Sequence, residues 1–145
     1  MIVIDDALLL AVVAERSAGP VAQFTEAAGH GEVFTTGSWY WRLTRAVARP
    51  GQGALSRTLG AMSEHERSRV AGALVELPAE IGLLSLRRLV PVMTALSGQF
   101  NLLTAEAVAA AVVLGGNIAV TTESPLLDRA AATAGVAVDV VRLNR

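Results

Sequence analysis

A chain of 145 residues with a net charge of −1, 52% hydrophobic and only 17% charged residues is too apolar for a disordered segment and too neutral to coat nucleic acid with a basic surface. It has no cysteine, and all 12 of its Lys-plus-Arg positions are arginine, which excludes disulfide frameworks, thiolate metal sites and any chemistry that needs a lysine. Mean hydropathy is +0.48, but the apolar runs Ala7 to Ala14 and Ala107 to Leu114 fall well short of the roughly 18–20 residues that span a bilayer. The chain opens on Asp5–Asp6 rather than on a basic stretch, so a cytoplasmic protein with no membrane contact is expected.

The elements follow in order. Met1-Ile-Val-Ile-Asp5 is a β-branched run of the kind that forms a buried strand. Asp5 or Asp6 stands where a helix N-cap is wanted, ahead of an apolar helix over 7–16. Gly19–Pro20 breaks the chain before a second helix at 21–28, and Glu32 to Thr36 predicts the second strand. A helix over 37–49 places Trp39, Leu43 and Val47 on one face. Pro50 to Gly53 reads as a loop. Ser63 with Glu66 three residues on is a capping box that starts a helix running to about Leu77. A third strand is expected at 81–85 and a helix at 86–97, with Pro91 either interrupting it or marking its true first turn. Thr104 is the expected cap of a helix over 105–114, followed by a strand at 117–122. Ser124–Pro125 starts the last helix, Gly135 stops it, and Val136 to Val141 is the fifth strand. Strands alternating with helices predict a single α/β domain over 1–145, three-layered, with a mainly parallel five-stranded sheet.

Ligands in such a fold bind beyond the carboxyl ends of the strands. Three acids fall there: Asp5 at the end of the first strand, Glu106 at the start of the helix after Thr104, and Glu123 after the fourth strand. Asp6 could add a further oxygen. Carboxylates without a neighbouring positive charge suit Mg²⁺ or Mn²⁺, and a metal so held can activate water against a phosphodiester. Each acid alone is better explained as a helix cap or as an answer to the helix dipole than as a ligand, and the case for a metal lies in all three falling on one edge of the sheet.

The arrangement resembles that of PIN-domain proteins, the ribonuclease fold of VapC-type toxins. Ile2-Val-Ile-Asp5-Asp-Ala-Leu-Leu-Leu10 is similar to the family's first strand ending in a metal-binding Asp, and Asn101-Leu-Leu-Thr-Ala-Glu106 to its Ala-rich helix opened by an acid. Ile118-Ala-Val-Thr121-Thr-Glu123 resembles its strand ending in Thr-x-Asp, and Ala134-Gly-Val-Ala-Val138 its last turn and strand. The resemblance implies a PIN-like fold, Mg²⁺ or Mn²⁺ held by Asp5, Glu106 and Glu123 as the catalytic acids, an RNA substrate, and an antitoxin-like protein partner. The chain departs from the family in three ways. Ala7 stands where Ser, Thr or Asn is usual, both later acids are Glu rather than Asp, and the helix after the second strand has no acid at all. Each Glu carries its carboxylate about 1.5 Å further out, one carbon–carbon bond. The expectation is therefore a metal-dependent endoribonuclease or, alternatively, a catalytically degenerate PIN-like binding or regulatory module.

The window from Val33 to Ser63 contains no Asp or Glu. Within it Arg42, Arg45 and Arg49 share one helix face beside Trp39, Tyr40 and Trp41. Arginine with aromatic rings can grip phosphates and stack unpaired bases, so Arg42 and Arg45 are candidate RNA-binding residues. The bland reading makes the arginines a solvated face and the aromatics core or dimer interface, which suits Trp39 best. His30 and His65 lack a second histidine at metal spacing, Ser63 or Ser68 with His65 lacks a nucleophile elbow, and Gly115–Gly116 is a helix stop rather than a dinucleotide loop. The surplus of apolar residues predicts a homodimer.

Overall fold

Ile2, Val3 and Ile4 are fully buried and form β1 (Ile2–Ile4), which is paired on both edges. No position in so short a strand faces water, which is why it reads as an unbroken β-branched run rather than an alternation. The computed structural model describes residues 1–14, 32–96 and 100–143; the helix expected at 21–28, and His30, lie outside them. β1 is flanked by β2 (Val33–Thr35) and β4 (Asn117–Val120), with β3 (Ile81–Leu83) beyond β2 and β5 (Val138–Val140) beyond β4. The order is β3-β2-β1-β4-β5 and every pairing is parallel. The expected mainly parallel five-stranded sheet is thus wholly parallel.

Seven helices accompany it among the described residues: α1 (Asp6–Ala14), α2 (Gly37–Ala48), α3 (Ala54–Gly60), α4 (Glu64–Val75), α5 (Leu86–Leu96), α6 (Leu102–Leu114) and α7 (Pro125–Ala134). They form an outer layer on each face of the sheet, and the strands divide their side chains between the two. Ile2, Ile4 and Ala119 join Leu8 and Leu9 of α1, Leu43 of α2 and Val70 of α4 in one core. Val3, Ile118 and Val120 join Leu89 of α5, Val108 of α6 and Leu127 of α7 in the other. This is the two-residue period of a strand read out as two hydrophobic cores.

Two local expectations need correction. Helix α6 begins at Leu102, not at Ala105, because Asn101 is its N-cap and accepts the Thr104 amide at 2.9 Å. Thr104 therefore lies inside the first turn, and Glu106 falls in the second turn instead of at the helix start. Asn is at least as good an N-cap as Thr, so the earlier residue wins. Pro91 neither opens nor interrupts α5 but sits inside it. The segment 54–60 is also helical (α3), and with Gly53 at its N-cap it has no side-chain cap to mark it in the sequence.

At the other end of α6, Gly115 closes the helix in the left-handed conformation (φ +64°). Gly116 then passes so close to β1 that a β-carbon on it would lie 2.3 Å from the Met1 carbonyl oxygen. Gly115 is the expected helix stop, while Gly116 is required by the approach of two strands.

Candidate functional site

From β1 the chain turns to β2 and β3 on one side, while β4 and β5 lie on the other. The order therefore reverses between β1 and β4, where a parallel sheet leaves a crevice at its carboxyl edge. A cleft of about 960 Å³ opens there. Asp5 and Asp6 line it from the end of β1 and the start of α1, and Thr121, Thr122 and Glu123 from the turn after β4. Helix α2 contributes Trp39, Arg42 and Arg45 to the lining, its C-cap contributes Arg49, and the loop that leads into α3 follows.

Asp5 is the N-cap of α1. Its Oδ1 accepts the Leu8 amide at 2.8 Å, and its Oδ2 accepts the amide and hydroxyl of Thr121 at 2.8 and 3.1 Å. One carboxylate thus starts a helix and ties the end of β1 to the end of β4. Burial pushes its pKa up, and the hydrogen bonds from Leu8 and Thr121 partly oppose that.

Asp6, beside it, is 7% exposed. Its Oδ2 lies 3.2 Å from Arg42 Nε, an ion pair whose geometry is not that of a hydrogen bond, so the oxygen is left without one. Burial raises the Asp6 pKa, the guanidinium of Arg42 opposes that, and the charge of Asp5 adds to the rise. The pairing joins α1 to α2, residues with no sequence signal linking them; it was missed for that reason.

Glu106 does not line the cleft. It is 1% exposed, and its carboxylate faces the N-terminus of α2. Oε1 accepts the Gly37 amide at 2.8 Å, Oε2 is 3.3 Å from the Ser38 amide, and the Ser38 hydroxyl donates to Oε2 as well. A β-carbon at position 37 would stand 3.2 Å from Oε1. Helix α2 has no acid in its own first turn, and Glu106 supplies one from α6. Glu106 therefore serves the start of α2 and not the start of the helix that carries it.

A hard divalent cation needs several oxygens free to converge on one point. Of the three acids expected to bind one, only Asp5 and Glu123 line the cleft. Glu106 is bonded away from the cleft, Asp6 is already paired with a cation, and both oxygens of Asp5 accept protein donors. Among the described residues no group of three His, Asp or Glu side chains is arranged to hold a metal.

The arginines behave differently. Arg42, Arg45 and Arg49 all line the cleft; the helix expected to run to 49 ends at Ala48, so Arg49 joins them as its C-cap and not from the helix face. Trp39 is buried in the core, the Tyr40 hydroxyl donates to the Leu74 carbonyl, and Trp41 is 63% exposed. His65 is exposed on the first turn of α4. The Ser63 hydroxyl accepts the Glu66 amide and Glu66 answers to the Ser63 amide, so that pair is a capping box and not half of a triad. No helix among the described residues is long and apolar enough to cross a membrane. Compared with known proteins, the chain matches no family model and no curated relative.

Proposed function

We propose that the cleft binds single-stranded RNA through its phosphates and that the protein is a PIN-like binding or regulatory module. The observation that carries this is a set of three arginines, Arg42 and Arg45 in α2 and Arg49 at its C-cap, lining a cleft at the point where the strand order reverses. Arg49, the C-cap of α2, stands about 6 Å beyond Arg45 along the helix axis at about 1.5 Å per residue, a backbone spacing that suits successive phosphates of an extended strand. Guanidinium forks suit phosphate oxygens in geometry as well as in charge. The test is fluorescence anisotropy of a labelled single-stranded RNA over a salt series. Each phosphate contact contributes a slope of about −0.7 in log K against log salt, so Arg45→Ala is expected to flatten the slope by about that amount. An unchanged slope and affinity in Arg45→Ala and in Arg49→Ala would remove the reading.

The metal-dependent ribonuclease is the second reading, and one observation favours it: Asp5 and Glu123 line the same cleft. It requires Glu106 to release the N-terminus of α2. It predicts RNA cleavage that appears with Mn²⁺ and disappears in Asp5→Ala; cleavage of equal rate in both proteins would assign it to a contaminant.

A further inference from the structure

The charged groups of the cleft divide into those already committed and those still free. Asp5 is bonded to Leu8 and Thr121, and Asp6 is paired with Arg42. Glu123, Arg45 and Arg49 also line the cleft, and among the described residues none of their side chains makes a hydrogen bond or an ion pair. Among the described residues the cleft therefore offers a ligand two guanidinium groups and one carboxylate, with Glu123 exposed at the start of the turn into α7.

A ligand made only of phosphate would be repelled by that carboxylate. An ionised carboxylate is an acceptor only, with two oxygens that take two parallel donors best. Unpaired bases in single-stranded RNA are read on their Watson–Crick edges, and the four edges differ in what they give such a group. Guanine presents N1–H and the N2 amino group side by side, two donors that match the two oxygens. Adenine and cytosine each place a ring-nitrogen acceptor beside their amino group. Uracil has one N–H between two carbonyls. The acceptors in those three edges face the carboxylate with like polarity.

We infer that the cleft selects guanine, with Glu123 accepting from its N1–H and N2 amino groups while Arg45 and Arg49 hold the adjoining phosphates. The inference rests on the RNA-binding reading above and adds base specificity to it. A bidentate side-chain pair discriminates between bases by an amount that corresponds to about tenfold in affinity or more. Glu123 is exposed, and its backbone lies outside α7, so its replacement leaves the fold to be checked by a melting curve alone.

The experiment measures anisotropy in EDTA, so that no metal bridges protein and RNA, with a labelled oligouridine and the same oligouridine carrying one central guanosine. The expected result is a preference of about tenfold for the guanosine-containing strand, and loss of that preference in Glu123→Gln, where one acceptor becomes a donor. Equal binding of the two strands by the unaltered protein, or a preference that survives in Glu123→Gln, overturns guanine selection and leaves RNA binding standing. No binding of either strand overturns both.

Discussion

Glu106 and Asp6 are buried acids of opposite design. Every donor at the start of α2 that reaches Glu106 needs an oxygen, and Gln would turn one oxygen into an NH₂ facing N–H groups. Glu106→Gln is expected to destabilise the fold by about 1.5–3 kcal/mol, the range for hydrogen bonds to a charged group, read from urea unfolding. Asp6 has no hydrogen bond to lose at Oδ2, and its partner Arg42 has a side chain 54% exposed that water can satisfy. Its pKa is raised in the fold above the ordinary 3.8. A group of this kind favours the fold when protonated, and that contribution is lost as pH rises from 3.8 through the folded pKa. Asp6→Asn should therefore melt higher than the unaltered protein at pH 7, with the gain vanishing as pH falls towards 3.8. A lower melting temperature at pH 7 would show that the Arg42 pair outweighs the burial of the charge. Neither role was legible in the sequence. Asp5, Asp6 and Glu106 stand out there as acids near strand and helix ends, but which helix an acid serves is decided by a contact across 69 residues.

At the scale of single elements the sequence is far more informative, because the signals are local. Ser63 with Glu66, Ser124 with Pro125, and Gly135 after the last helix act through neighbours within a few residues, and each is found in its expected role. The Glu66 carboxyl lies below its usual range because the Ser63 amide and hydroxyl donate to it. Ser63→Ala removes the acceptor for the Glu66 amide and should cost about 1 kcal/mol, measured as a shift in the unfolding midpoint. The misplaced start of α6 has a physical cause of the same local kind: Asn101 and Thr104 are both good caps, three residues apart, and the sequence contains nothing that ranks them. The strands came out shorter than expected, three residues for β3 and β5, since apolar residues run on past the last ladder bond into the loops.

Across the whole molecule, the alternation of strands and helices was enough to give the α/β class, the parallel sheet and the crevice at its carboxyl edge. It could not give the strand order, and it is that order which brings Asp5 and Glu123 together with α2. The net charge of −1 likewise hides a local arrangement, three arginines lining the same cleft as the exposed Glu123.

The position of β1 has a consequence for how the molecule is made. β1 is the middle strand of the sheet, and it is synthesised more than 110 residues before its second partner, β4. At ordinary rates of synthesis the gap is on the order of ten seconds. During that time Ile2, Val3 and Ile4 have one edge without a mate, an apolar segment open to mispairing until β4 is made.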